Sequence, residues 1–252
     1  MTRKIQIQNF KGGVGKTTTS VNLAHGLTLI GKKVLLLDLD HQGNATSGLG
    51  VVLTSQSPTL YHVLKDDLPF QKAIIETRPG LWVLPSNATT AVAETHLNSL
   101  PARELQLKEK FSEVADFDYV ILDCPASLNI LHNNALLYAD ELILPIGPEK
   151  WAYDGARQIL ESAARLAKYY QHQPQILGAL PTMVDRRLAI TSEMSELLSY
   201  SFGEKVLPAI RADATLRNAQ KNAKTIFEFA PRGKGARDYH NLVKAVEAAK
   251  TA

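Results

Sequence analysis

One short stretch limits the fold more than any other. Lys11-Gly12-Gly13-Val14-Gly15-Lys16-Thr17-Thr18 follows directly on an expected strand, Lys4 to Phe10, and leads into a segment of helical character, Thr17 to Ile30. A strand, a glycine-rich loop and a helix form the context a phosphate cradle needs. The glycines let successive backbone N–H groups converge on phosphate oxygens without Cβ clashes, and the helix beginning near Lys16 adds the positive end of its dipole. Lys16 is placed to reach the β- and γ-phosphates, and the Thr17 hydroxyl to ligate a Mg²⁺ that bridges them. The ordinary pattern G-x-x-x-x-G-K-[ST] would need glycine at Phe10; a second lysine, Lys11, opens this loop instead. The plainer alternative is a glycine-rich turn with solvated lysines.

Around this loop, short Val/Ile/Leu runs alternate with longer segments of helical period, which predicts an α/β fold: a mostly parallel twisted sheet with helices on both faces. Strands are expected at Lys4–Phe10, Lys33–Leu39, Leu81–Pro85, Tyr119–Asp123, Glu141–Ile146, Gln175–Met183 and Val206–Ile210, about seven in all. Helices are expected at Thr17–Ile30, Ala102–Val114, Tyr153–Tyr170, Ile190–Tyr200, Ala214–Asn222 and Ala236–Ala249. No stretch reads as a linker, so residues 1–252 are expected to form a single domain. The chain is 45% apolar and 21% charged, enough for a sizeable core, and it lacks both a signal-peptide pattern and a run of 18 apolar residues. Cys124 stands alone, which excludes an internal disulfide and a site built from cysteine pairs. The seven histidines lack metal-ligand spacing. Together these features predict a cytoplasmic protein.

KGGVGKTTT resembles the deviant Walker A motif of the ParA/MinD group of P-loop ATPases, and later segments match the ParA (Soj-like) branch in order. Asp38 to Gly50 (DLDHQGNATSGLG) looks like the second motif, and Ile121 to Leu128 (ILDCPASL) like the Walker B strand and its loop. The resemblance continues through Asn133–Ile146, Leu180–Arg187, Phe202–Gln220 and Lys224–Tyr239, and so covers nearly the whole chain. His41 and Ala126 stand where such proteins usually have proline, and Ala223 where they usually have glycine. The resemblance implies ATP and Mg²⁺ as cofactors, with residues Lys11, Gly12, Gly13, Val14, Gly15, Lys16, Thr17 and Thr18 on the nucleotide. Met183 and Pro208 would lie near the base.

Phosphoryl transfer to water needs a metal, charge stabilisation and an oriented water. Asp123 ends an apolar strand, where a carboxylate is costly unless it faces the site, and reads as the Walker B acid near Mg²⁺ through a water. Asp38 and Asp40, two apart at a strand end, would face one way if the strand continues to Asp40. The resemblance assigns Asp38 to the metal's water shell and Asp40 to the attacking water. The alternative is that one of the pair only caps the following turn. Thr17, Asp38 and Asp123 are thus the metal-site candidates, and Lys11, Lys16, Asp38 and Asp40 the catalytic ones. By resemblance Lys11 crosses an ATP-dependent homodimer interface to the partner's phosphates; neutralising its own nucleotide is the simpler role.

The net charge of +3 is unevenly placed. Between Gly203 and Arg237 eight basic residues face three acidic ones, which leaves −2 for the rest of the chain. Arg211, Arg217, Lys221, Lys224, Arg232 and Lys234, with Arg186 and Arg187 as lesser candidates, can bind double-stranded DNA nonspecifically. A plain solvated surface is the alternative. The C-terminal segment is too alanine-rich for a membrane anchor, so no membrane partner is expected. The resemblance implies an ATP-dependent partition device: a dimer on nucleoid DNA, released when an adaptor protein stimulates hydrolysis. The cargo is a plasmid or chromosome, with a protein organelle such as a carboxysome, or a chemoreceptor cluster, as the alternative. A regulatory binding module with incidental hydrolysis is a more distant reading.

Overall fold

The computed structural model describes residues 1–185 and 187–249. In chain order its elements begin with β1 (Arg3–Ile7), α1 (Lys16–Thr28), β2 (Val34–Asp38), α2 (Asn44–Gly48) and α3 (Leu60–Lys65). There follow β3 (Ile75–Arg78), β4 (Leu81–Leu84), α4 (Thr90–Asn98), α5 (Gln106–Lys110) and β5 (Tyr119–Asp123). The chain continues through α6 (Ile130–Tyr138), β6 (Glu141–Ile146), α7 (Lys150–Tyr170), β7 (Gln175–Pro181) and α8 (Ala189–Phe202). It closes with α9 (Ala214–Lys221), α10 (Ile226–Phe229) and α11 (Lys234–Ala248).

One seven-stranded sheet runs in the order β3-β4-β2-β5-β1-β6-β7. Every pair is parallel except β3 with β4, an antiparallel edge hairpin turning at Gly80. The central strands are apolar on both faces because each face is covered by helices. Along β5, Tyr119 and Ile121 join Leu23, Leu27, Leu242 and Val246 of α1 and α11, while Val120 and Leu122 join Phe111, Leu131 and Ala135 on the other side. The apolar side of α11 is therefore buried against α1, which leaves that helix no free apolar face. Among the described residues no helix is long and apolar enough to cross a membrane.

The expected seventh strand, Val206–Ile210, is not one. This segment lies beside β7 and donates from Leu207 N to Ala179 O (2.8 Å) and from Ile210 N to Pro181 O (2.8 Å), making only isolated bridges. The two bonds are spaced three residues apart on this segment and two on β7, so the register slips and no ladder continues. The actual seventh strand is β3, whose IETR sequence sits at an exposed edge and has no apolar alternation to announce it. The expected helix Ala102–Val114 is reduced to a 3₁₀ turn at Arg103–Leu105 followed by α5. Helices α2, α3, α4, α6 and α10 were not expected, since most are too short for a helical period to stand out.

Ala223, where the family resemblance leads one to expect glycine, adopts φ +52° after α9. A Cβ in this left-handed conformation is strained, whereas glycine tolerates it at some entropic cost in the unfolded chain. Ala223→Gly is expected to raise stability by about 0.5 kcal/mol, the difference between these two effects. Urea denaturation of the two proteins measures it, and a lower midpoint for the variant would contradict the strain argument.

A candidate nucleotide-hydrolysis site at the carboxyl edge of the sheet

The candidate residues gather at the carboxyl ends of the parallel strands, the edge where open α/β sheets bind ligands. The loop after β1 turns through Gly13 (φ +78°) and Gly15 (φ +86°) before α1 begins at Lys16. No side chain caps the N-terminus of α1, so its backbone N–H groups and dipole face the cleft. Gly12, Gly13, Gly15, Lys16, Thr17 and Thr18 line a cleft of about 860 Å³. Val14 points inward to the core, and its carbonyl accepts from Thr182 Oγ1 at 2.9 Å. Lys16 is nearly buried; its ammonium donates to Lys11 O at 3.1 Å, and burial holds its pKa below the ordinary lysine value.

Asp38 and Asp123 are partners in the β2–β5 register, and both are fully buried at the floor of the loop. Asp123 accepts from Thr17 Oγ1 (2.9 Å) and Ser20 Oγ (2.7 Å). Asp38 accepts from Thr46 N (2.8 Å) and Thr46 Oγ1 (2.7 Å) with one oxygen, and from Asp40 N (3.2 Å) with the other. Burial pushes both carboxyls up, Asp38 to about 6 and Asp123 to about 7, and the Asp38 charge adds to the rise at Asp123. Two buried acids side by side, next to a threonine hydroxyl and beneath a cationic loop, fit a divalent cation: its charge would relieve their burial and mutual repulsion. Among the described residues no group of three or more His, Cys, Asp or Glu forms an all-protein metal cage. That suits Mg²⁺, which keeps several waters and shares its ligands with phosphates.

Asp40 leaves the strand direction and lines the cleft. Its Oδ1 accepts from Gln42 N at 3.0 Å, and its carbonyl accepts from Ser86 Oγ at 2.8 Å. It caps a local turn and also lines the cleft. Lys11 behaves differently from the rest of the loop. It does not line its own cleft; its half-exposed side chain turns outward to Glu149 Oε2 at 3.6 Å. Its backbone N–H is fixed by Asn9 Oδ1 (2.9 Å), and Asn9 is itself anchored to Pro145 O and Ala152 O, each at 2.8 Å.

The opposite wall is formed by Thr182, Met183 and the run Ile210 to Ala214. Met183 holds φ +55°, and Val184 N next to it donates to Ile210 O at 3.1 Å. Pro208 is exposed and stands outside the lining. Cys124, beside Asp123, is buried and takes a weak contact from Gln6 Nε2 at 3.6 Å; burial pushes its thiol far up, which leaves it inert.

The basic residues fall into two groups. Arg211 lines the cleft and is held by Asp238, its Nη2 lying 2.6 Å from Oδ1. Arg187 pairs with Asp185 at 2.6 Å. Arg186 lies outside the described residues. Arg217, Lys221, Lys224, Arg232 and Lys234 are exposed, and none has an ion-pair partner among the described residues. The nearby acids are committed elsewhere: Asp213 caps α9 through Thr215 N (2.9 Å), and Glu228 pairs with Arg78 (2.8 Å). Arg217 reaches the rim of the nucleotide cleft, and Lys224 lines a small cavity shared with Thr17 and Thr18.

Sequence reasoning missed Ser20 and Thr46. Ser20 lies three residues after Thr17 on α1, a spacing that puts both hydroxyls on one helix face and so could have exposed it. Thr46 sits in the NATSG helix after Asp38, and only the chain's return over β2 brings it to the carboxylate.

A family model described as an AAA domain matches residues 2–176. The sporulation initiation inhibitor protein Soj of Bacillus subtilis is 39% identical over 98% of this chain and 99% of its own. The chromosome partitioning protein ParA of Caulobacter vibrioides is 34% identical over 97% of this chain and 93% of its own. Among solved structures, the cobyrinic acid a,c-diamide synthase from Mycobacterium smegmatis with bound ADP and magnesium superposes with a TM-score of 0.84 at 32% identity, covering 98% of this chain and 94% of that one. With this full-length similarity and a phosphate loop opened by Lys11 above two buried aspartates, the chain belongs to the ParA/MinD family of deviant Walker A P-loop ATPases, in its ParA (Soj-like) branch.

Proposed function

We propose that the chain, acting as one domain over residues 1–252, is a Mg²⁺-dependent ATPase that positions cargo by cycling between a DNA-bound dimer and free subunits. The observation that carries the reading is the placement of α9. The helix that presents unpaired Arg217 and Lys221 also forms a wall of the cleft lined by Lys16 and Thr17, and Thr17 is bonded in turn to buried Asp123 beneath it. Occupancy of that cleft can therefore bear directly on the basic surface.

In the ATP complex the backbone N–H groups of Gly13 to Thr18 hold the phosphate oxygens, and Lys16 offsets their charge. Thr17, Asp38 and Asp123 would hold Mg²⁺, which supplies charge neutralisation at the β- and γ-phosphates when bound. Asp40, facing the cleft, orients the attacking water. Met183 and the Ile210–Ala212 segment enclose the base. Lys11, turned away from its own cleft, is free to serve the nucleotide of a second copy. Leu128, in the loop after β5, and Trp151, in the first turn of α7, are exposed, apolar surface of the kind interfaces cover. A dimer with ATP between its subunits loses part of that countercharge on hydrolysis and comes apart.

Arg217, Lys221, Lys224, Arg232 and Lys234, doubled in the dimer, bind duplex DNA through phosphates without reading sequence. This places the protein in the cytoplasm on the nucleoid, with plasmid or chromosome as cargo and an adaptor protein that stimulates hydrolysis. The test is phosphate release with and without duplex DNA and the product of the neighbouring gene. A rate that neither addition changes would favour a regulatory binding module. In the same assay Arg217→Glu is expected to weaken DNA retention at least about tenfold, since it removes one phosphate contact per subunit and adds a repulsive charge. ATP affinity should persist; undiminished retention would place the DNA surface elsewhere.

A further inference from the structure

Where the chain leaves β1, polar side chains are buried against α6 and α7: Gln8, Asn9 and His132 fully, and Ser162 nearly so. The Gln8 Nε2 can only donate, so His132 Nδ1, 3.3 Å away, accepts from it, and His132 Nε2 donates to Ser162 Oγ at 3.2 Å. Burial lowers the His132 pKa to about 4, which keeps the ring neutral and the direction of these bonds fixed. Gln8 Oε1 in turn accepts from Asn9 N at 3.2 Å.

Asn9 spends its whole amide on its surroundings. Its Nδ2 donates to Pro145 O and to Ala152 O of α7, each at 2.8 Å, and its Oδ1 accepts from Lys11 N at 2.9 Å. Gly155, one turn after Ala152, lets α7 lie directly against this side chain. A Cβ at Gly155 would collide with Asn9 Oδ1 and come within 3.1 Å of Lys11 N. A buried polar set whose members are satisfied by one another rigidifies what it holds. Here it holds the backbone from which Lys11 projects.

We propose that Asn9 is a positioning residue for hydrolysis: seated in the space that Gly155 leaves, it fixes the Lys11 backbone at the angle from which the outward-turned ammonium serves the nucleotide of a second copy. This rests on the role given to Lys11 above, and it ties the rate of hydrolysis to the seating of α7. Asn9 does not line the cleft, whereas Lys16, which does, donates to Lys11 O at 3.1 Å. The two lysines therefore report separately. A loss that acts through Lys11 leaves nucleotide affinity in place, and one that acts through Lys16 does not.

The experiment measures phosphate release and ATP affinity for Asn9→Ala, Gly155→Ala and Lys11→Ala, and for each of the first two combined with Lys11→Ala. Asn9→Ala and Gly155→Ala are each expected to lower kcat by about 10- to 100-fold, as a misplacement of about 1 Å does, with ATP affinity within about threefold of wild type. In the Lys11→Ala background either change should cost less than about twofold more, since groups that act as a unit are not additive. Gly155→Ala keeps every polar group and adds a good helix former, so it answers the question if Asn9→Ala does not fold. A full further loss in the Lys11→Ala background, or a fall in ATP affinity as large as the fall in kcat, overturns the proposal and leaves Asn9 a part of the loop's fold alone. Wild-type kcat in both single variants overturns it as well. Wild-type turnover in Lys11→Ala would instead overturn the reading of Lys11 on which the inference rests.

Discussion

Lys11→Ala is expected to bind MgATP within about threefold of the wild type and to turn it over at least about 10²-fold more slowly, a loss in the lower range for removal of a cationic finger from a phosphoryl-transfer site. The expectation follows from where the side chain stands. Lys16 lies nearly buried in the cleft under the loop, whereas Lys11 faces outward and meets the exposed carboxylate of Glu149. An exposed pair of this kind is worth little, so nothing in the isolated subunit holds the ammonium back from a partner's phosphates. The backbone beneath it is fixed by Asn9, and the alanine variant should keep the cradle intact. Binding is read by equilibrium titration, turnover by phosphate release, and ATP-dependent dimerisation by sedimentation. Turnover within threefold of wild type would end the idea that Lys11 acts on a second subunit's nucleotide.

The second large effect concerns stability and runs against function. Asp123 is fully buried, and its carboxyl is pushed up to about 7 by burial and by Asp38. Between the ordinary aspartate value near 4 and about 7, the folded protein keeps a proton that the unfolded chain has released. Stability of the nucleotide-free protein therefore falls as pH rises through that window and levels off above it. Asp123→Asn removes the buried charge and preserves the side-chain shape, and the Thr17 and Ser20 hydroxyls can rotate to meet an amide. At pH 8 and without nucleotide, the variant is expected to be more stable than wild type by about 1–3 kcal/mol, with the gap closing toward pH 5. Added MgATP should stabilise the wild type by its binding free energy and the variant much less. Chemical denaturation at the two pH values, with and without MgATP, checks both halves. A variant no more stable than wild type at pH 8 would mean that the Asp38–Asp123 pair is not held under electrostatic strain.

Such strain is what a cation site requires. The two acids stand side by side because β2 and β5 pair in register to their last residues, and the sheet accepts their cost because the phosphate loop lies directly above. Serine and threonine hydroxyls, themselves good donors, satisfy the carboxylates and can turn away when a metal competes for them. The basic surface follows a similar logic. Arg211 and Arg187 count as charge in the sequence, yet each is tied to an aspartate, whereas Arg217 and Lys221 pair with none among the described residues.

The sequence by itself determined the strand–loop–helix that cradles phosphate, the apolar central strands and the acids at their ends. Each of these is a local pattern whose cost or conformation would make no sense elsewhere. It placed β5 and β6 to the residue, since both are continuous apolar runs bounded by turn residues. It misjudged β3 and the Val206–Ile210 segment, because an edge strand needs no apolar alternation and the register of a segment against its neighbour is set only on folding. Folding alone brings Asp38 beside Asp123, sets Ser20 and Thr46 to satisfy them, and turns Lys11 outward. Those relations depend on strand order and on helices returning across the sheet, and contacts between residues so far apart leave no periodic trace in the chain that makes them.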